Sequence, residues 1–273
     1  MSEKSFSIAT WNVNSVRRRI QGLGWFADES GPDIICLQET KVTDELFPSG
    51  EIAAIGYPHQ AFTGMKGYNG VAILSKLPLR QIEIMAWGGK AEPRHIYALV
   101  DGGGRLGEVE VHSLYVPAGG DIPDPLKNPK FAYKLDFLAD LTNWWAARGV
   151  QRGKRVLVGD FNVAPLVTDV WSHARLKNVV THTEIEVQHL AAFQKSARWV
   201  DAMRLIHPET KPLFTWWSYR AQDGESANKG RRLDHVWVSP DLADRVSDVT
   251  VARETRDWDP PSDHVPVILK LSR

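Results

Sequence analysis

Apolar and polar residues alternate along Phe6–Trp11, the pattern of a strand with one face against a core, and the alternation breaks at Asn12 and Asn14. Ser15 is placed to cap a helix reaching about Glu29, with Val16, Ile20, Leu23 and Phe26 on its inner face and Gly31-Pro32 ending it. Ile34–Leu37 is wholly apolar, as expected of a strand covered on both sides, and it stops at Gln38-Glu39. Gly70–Leu74, Ile96–Val100 and Val109–Val116 predict further strands, some at a sheet edge. Residues 117–129 hold four prolines and two glycines and predict a loop. Phe131, Leu135, Leu138, Leu141 or Thr142, and Trp145 share one helical face, with Gly149 beyond it. Val156–Val158 predicts a buried strand, Glu184–Arg198 a helix, and Leu233–Val238 and Val265–Leu271 the last two strands. No low-complexity linker interrupts residues 1–273, so they read as a single domain. Strands mixed with helices throughout indicate an α/β layered architecture.

Composition narrows this little. Apolar residues make up 43% of the 273 and charged residues 24%, and 33 basic side chains balance 33 acidic ones. Net charge therefore argues for no partner, and a nucleic-acid surface would have to concentrate its positive charge locally. The one cysteine, Cys36, lies in an apolar run, which leaves no intrachain disulfide and no cysteine metal site and fits a reducing, cytoplasmic setting. Met1–Lys4 leads straight into a strand, and no stretch has membrane-spanning length, so no membrane partner is expected. Without repeats or a charge excess, a monomer is the simplest expectation.

The chemistry gathers at strand ends. Asp160 and Asn162 follow Val156–Val158 two positions apart, so in an extended chain they share one face. Glu39 follows Ile34–Leu37, Asp234 stands beside Leu233, and Asp263 precedes Val265. Any one such acid is ordinarily a cap or a salt-bridge partner. Four of them with Asn14 and Asn162 form an all-oxygen set suited to Mg²⁺ or Mn²⁺. The nine histidines show no zinc spacing such as H-E-x-x-H. An aspartate brought against His264 would orient its imidazole and raise its pKa, whereas strand alternation turns His235 away from Asp234.

Phosphates call for donors. Arg17-Arg18-Arg19, Lys41, Lys66, Arg94, Lys127, Lys229, Arg231 and Arg232 fall in or beside loops near these acids, and Tyr115 ends a strand where a phenol can donate to a phosphate oxygen. Phe214–Arg220 is aromatic and basic and suits stacking on bases or wedging a duplex, with one of Trp216 and Trp217 expected to pack as a rim.

Six segments occur in the order found in exonuclease III-type apurinic/apyrimidinic endonucleases: Trp11–Arg17, Pro32–Lys41, Gly159–Pro165, Thr215–Arg220, Arg232–His235 and Ser262–His264. The chain resembles this family from Ile8 to Leu271. The resemblance implies a four-layered sandwich of two mainly antiparallel sheets flanked by helices, deoxyribonuclease I-like, with the site at one edge. It also implies Mg²⁺-dependent phosphodiester hydrolysis in duplex DNA, with Mn²⁺ as a substitute: cleavage 5′ to abasic sites, and 3′–5′ exonuclease and 3′-end cleaning. By the same resemblance Glu39 would hold the metal, with Asn14 nearby and Asp263 completing the site. Asp160 would face the attacking water, while Asn12 and Asn162 hold the water or the phosphate. Tyr115 would contact the scissile phosphate, and His264, oriented by Asp234, would stabilise the transition state or act as base. Arg17, Lys41, Tyr68, Asn69, Arg94, Trp216 and Arg231 match DNA-contacting regions.

The chain departs from the pattern at three positions. Ala118 stands where relatives carry an asparagine, Ser113 where asparagine is common, and Arg231 where an apolar or aromatic residue precedes the Arg-x-Asp triplet. Two other readings share parts of this pattern: a lipid or inositol phosphatase or RNA deadenylase, and a catalytically dead DNA-binding module. The Asn12–Arg17 and Trp216–Arg220 segments weigh against the first, and intact Glu39, Asp160 and His264 against the second.

Overall fold

The computed structural model describes residues 5–148, 153–219 and 228–273, so Gly149 and Arg220 lie outside the described residues. Twelve strands form two six-stranded sheets. The first holds β1 (Ser5–Asn12), β2 (Ile34–Gln38), β3 (His59–Met65), β4 (Tyr68–Ser75), β11 (Val246–Val251) and β12 (Val267–Ser272), in the order β11-β12-β1-β2-β4-β3. The second holds β5 (Arg80–Trp87), β6 (Lys90–Asp101), β7 (Glu108–Tyr115), β8 (Arg155–Asp160), β9 (Val200–Asp201) and β10 (Asp234–Val238), in the order β5-β6-β7-β8-β10-β9. Only the β1–β2 and β7–β8 pairs are parallel, so the sheets are mainly antiparallel, as expected.

Alternation assigns the faces. Phe6 and Ile8 of β1, Ile34 and Cys36 of β2, Val156 and Val158 of β8, and Val236 and Val238 of β10 fill the central core between the sheets. Ala9, Trp11, Ile35 and Leu37 point outward under α1 (Ile20–Glu29) and α2 (Ser49–Ala54). Leu114, Leu157, Phe161 and Trp237 point outward under α3 (Pro129–Arg148) and, after the short α4 (His173–Leu176), α5 (Glu184–Ser196). Two short helices, α6 (Ala202–Ile206) and α7 (Pro240–Ala243), complete the chain's helices among the described residues. The result is helix, sheet, sheet, helix. Thr183 and Glu186 close a reciprocal capping box that fixes where α5 begins.

The same parity that fills the core places the chemistry. Continuing inward from Phe6 and Ile8, β1 presents Thr10 and Asn12; β2 presents Gln38; β7, β8 and β10 present Tyr115, Asp160 and Asp234, which sit side by side in register. All lie at one edge of the sandwich, where the apolar core gives way.

One predicted element is displaced. The first helix starts at Ile20, not at Ser15, because Val13, Ser15 and Val16 spend their amides on the carbonyls of Gln38, Glu39 and Thr40. Asn14 and Ser15 take positive φ of 46° and 93° to do so, which no helix permits.

Candidate active site

Asn12 is the hub that joins the two sheets. Its fully buried carboxamide donates to Glu39 Oε1 and to Asp160 Oδ2, both at 2.9 Å, and its own oxygen accepts the Asn14 amide. Ser262 Oγ donates to the Asn12 carbonyl at 2.7 Å, tying the C-terminal turn to the same point. Asn12 thus orients the two acids and has no donor left for a phosphate.

Asp160 is enclosed. Asn162 donates its backbone amide to Oδ1 at 2.9 Å and its side-chain amide to Oδ2 at 3.1 Å, while also holding the Val116 carbonyl. Burial and the neighbouring Asp234 and Glu39 carboxylates raise the Asp160 pKa above the usual carboxylate range, against the pull of His264 and Asn12. Gly159, at φ +148°, makes this approach possible: a Cβ there would lie 1.8 Å from the Leu114 carbonyl oxygen of the adjacent strand.

His264 Nδ1 donates to Asp234 Oδ2 at 2.8 Å, and its Nε2 lies 3.6 Å from Asp160 Oδ2. Burial alone would lower its pKa, yet Asp234 and Asp160 together hold it well above the ordinary histidine value. The imidazolium is the favoured form. His235 faces the opposite way, against Phe161 and Trp237, with Nε2 on the Val163 carbonyl, as strand alternation requires.

Glu39 is ionised. Burial would raise its pKa, but Asn12, Lys41 and the Tyr115 hydroxyl, which donates at 2.8 Å, lower it below the ordinary value. Burial and these same acids keep the Tyr115 phenol neutral. Lys41 Nζ bridges Glu39 Oε2 and Asn14 Oδ1, each at 2.6 Å, while its side chain stays partly exposed. Asp263 accepts Trp216 Nε1 at 3.0 Å and Asn14 Nδ2 at 3.1 Å.

Among the described residues, Asp160, Asp234 and His264 are the acid and histidine side chains whose ligand atoms lie within 4.8 Å of one another, a cluster able to hold a metal ion. That cluster largely satisfies itself, with His264 donating to Asp234 and facing Asp160. Glu39, Asp263 and Asn14 offer a second, all-oxygen set, in which Glu39 and Asn14 already hold a cation, the Lys41 ammonium, and Asp263 accepts from Asn14. Oxygen donors of this kind fit a hard divalent cation.

The residues matched to DNA contacts separate into two groups. Tyr68 is half exposed, Trp216 half buried, and Arg17 exposed, although Arg17 faces a groove with Glu45 and Phe47 away from the acids. Asn69 and Arg94 are buried: Asn69 donates to Glu92, and Arg94 binds Glu92 at 2.6 Å and lies under the Tyr115 ring at 4.7 Å. Both are held by partners inside the protein and brace Tyr115 and Glu92. Arg232 is likewise buried, forked onto Asp169 and bonded to Asp201, which fixes the segment carrying Asp234. Lys127 pairs with Asp124 on an exposed loop. Trp217 is the packed member of the tryptophan pair.

Several supporting residues carry no obvious motif. Lys134, fully buried, donates to the Asn162 carbonyl at 2.7 Å and pairs with Glu186. Its position on the inner stripe of α3 is a signal, since a lysine there demands a buried partner. Arg19 holds the Pro261 carbonyl and the Tyr219 hydroxyl. Ser113, between Gln38 Nε2 and the Leu37 carbonyl, links the sheets.

Backbone strain is concentrated here. Of nine non-glycine residues with positive φ among those described, Asn14, Ser15, Glu39, Lys41, Asn69, Asn162 and Thr181 surround the site. Such conformations persist only where the surrounding bonds over-determine them.

Residues 9–264 match the endonuclease/exonuclease/phosphatase family. Exodeoxyribonuclease III of Haemophilus influenzae is 29% identical over 267 residues, spanning 94% of this chain and 97% of its own. An AP endonuclease from Archaeoglobus fulgidus superposes with a TM-score of 0.88 at 35% identity, covering 98% of this chain and all of that one. A Neisseria 3′ phosphatase bound to a product DNA hairpin superposes with the same TM-score at 32% identity, covering 98% of this chain and 100% of that one. The site geometry and these likenesses agree, and the chain belongs to the endonuclease/exonuclease/phosphatase family, in its exonuclease III-type branch.

Proposed function

We propose that this protein is a Mg²⁺-dependent DNA repair phosphodiesterase. It hydrolyses the bond 5′ to abasic sites in duplex DNA and removes nucleotides or blocking groups from 3′ ends. The observation that carries the reading is the Asp160–His264 arrangement, a carboxylate of raised pKa facing a histidine that Asp234 keeps protonated.

The two groups divide the work. A carboxylate whose pKa is raised toward neutrality is a better general base, so Asp160 takes a proton from the attacking water. The His264 imidazolium cannot accept one; it donates to a phosphoryl oxygen as charge develops. The water oxygen bonds to phosphorus, the P–O3′ bond breaks, and the 3′-oxygen leaves and is protonated. Tyr115, neutral and braced by Arg94, donates its hydroxyl to Glu39 in the resting site and would turn that proton to the phosphate when the substrate arrives. Glu39, Asp263 and Asn14 would hold the metal, which supplies Lewis-acid stabilisation of the phosphoryl and leaving oxygens when bound. Mn²⁺ would substitute. Names of relatives support the substrate class: exodeoxyribonuclease III, AP endonuclease and 3′ phosphatase.

The chain acts as one domain and a monomer, in a reducing, cytoplasmic setting that suits a single buried cysteine. None of the described helices is long and apolar enough to cross a membrane. The deciding assay measures abasic incision and 3′ exonuclease rates side by side, with Mg²⁺ and with EDTA. Wild-type protein cutting neither substrate would overturn the reading, and Asp160→Asn retaining full metal-dependent cleavage would overturn the assignment of the base.

A further inference from the structure

A pocket of about 370 Å³ opens beside Asp160 and His264. Its lining includes the apolar Val179, Val180, Trp216 and Leu233, with Thr181 and Arg231 as polar members among them. Backbone pairing sets Arg231 opposite Trp216, and the guanidinium lies over the indole ring at 5.3 Å. Nη1 is spent on the Val180 carbonyl at 3.1 Å and on Thr181 Oγ1 at 2.6 Å. Nε is buried with no partner, and Nη2 makes no hydrogen bond to a described residue. The carboxylate that acts on this charge is Glu186, itself already paired with Lys134. Nη2 of this half-desolvated guanidinium is then the donor left to meet an anion in the pocket.

We propose that Arg231 determines substrate preference, favouring a strand that ends in a 3′-phosphate over an internal abasic site. The inference rests on the function proposed above. In a diester the phosphorus carries, through O5′, a neutral baseless sugar, for which an apolar wall is the better fit. In a 3′-phosphate the same position is a bare oxygen with additional negative charge, which a guanidinium stabilises. The reaction is otherwise the same: the water oxygen bonds to phosphorus, the P–O3′ bond breaks, the 3′-oxygen takes a proton, and inorganic phosphate leaves.

The test compares kcat/KM on two duplexes, one with a recessed 3′-phosphate and one with a central tetrahydrofuran abasic site. R231L and R231Q, both neutral, should shift the ratio toward abasic incision by about tenfold or more, the worth of one hydrogen bond to a charged group. T181V, which removes the brace and keeps the charge, should leave the ratio where it is. Inorganic phosphate should inhibit R231Q more weakly than wild type. Parallel loss of both activities in R231L and R231Q, or a T181V variant that reproduces their shift, would show that Arg231 acts only by bracing the 179–181 segment. Wild-type protein inactive on both duplexes would refute the proposed function; an active enzyme with an unmoved ratio refutes this inference alone.

Discussion

Asp234 and His264 meet at 2.8 Å across the edge of the sandwich, and the second oxygen of Asp234 is buried without a partner. The pairing sets the charge of the imidazole. In Asp234→Asn that charge is weakened, so the alkaline limb of the pH–rate profile should move to lower pH and kcat near pH 8 should fall by about a hundredfold or more. The stability consequence has a definite sign. The folded pKa of His264 is raised, so its contribution is complete below the unfolded value of about 6.5 and is lost as pH climbs through the folded value. Melting temperature measured against pH should decline on the alkaline side in wild type, and less so in the variant.

Glu39→Gln should raise the half-saturating Mg²⁺ concentration by about tenfold or more, since losing a ligand costs at least as much as losing a group that orients one. EDTA should abolish cleavage in wild type, and added Mg²⁺ or Mn²⁺ should restore it. Activity titrations checked by calorimetric binding would read both. Undiminished Mg²⁺ affinity in the variant would remove Glu39 from the ligand set.

The buried Lys134–Glu186 pair should show its worth when broken on one side. Lys134→Met leaves Glu186 charged and enclosed, a defect of about 3–5 kcal/mol in urea unfolding. Adding Glu186→Gln should recover part of that loss. A double variant as unstable as the sum of the two singles would mean that the pair is not coupled.

The adjacent tryptophans should separate structure from activity. Trp217 is buried against Phe214 and Val265, and its replacement by alanine should cost about 3–5 kcal/mol of stability. Trp216→Phe keeps an aromatic face and loses the Nε1–Asp263 bond with a small part of the ring area, so thermal stability should change less than in the Trp217 variant while cleavage falls. Equal melting shifts in the two variants would contradict this division.

The sequence reveals the catalytic edge well because charge at the end of an apolar strand is costly and therefore conspicuous. Glu39, Asp160, Asp234 and Asp263 stand out for that reason, and strand parity correctly turns His235 away. Other parts are invisible for equally physical reasons. β3, β5 and β11 lie at sheet edges or carry bulges, so their residues alternate weakly; Ile82 and Ile84 of β5 are exposed. The start of α1 moved because amides of 13–16 bind strand carbonyls, a long-range demand that overrides a local capping signal. The burial of Arg94 and Asn69 is not legible, since neither residue type announces that Glu92 and Tyr115 will enclose it.

Sheet order carries a consequence for biosynthesis. β12 is inserted between β11 and β1, so the strand bearing Asn12 lacks one neighbour until residues near the C-terminal end are made. His264 and Asp263 arrive with that same segment. A chain still emerging from the ribosome can bury much of its second sheet and yet possess no assembled hydrolytic centre. Pairing β1 with β12 closes a loop of some 250 residues, a contact of high sequence separation that forms slowly. The topology therefore assembles the hydrolytic edge only once β12 has joined β1.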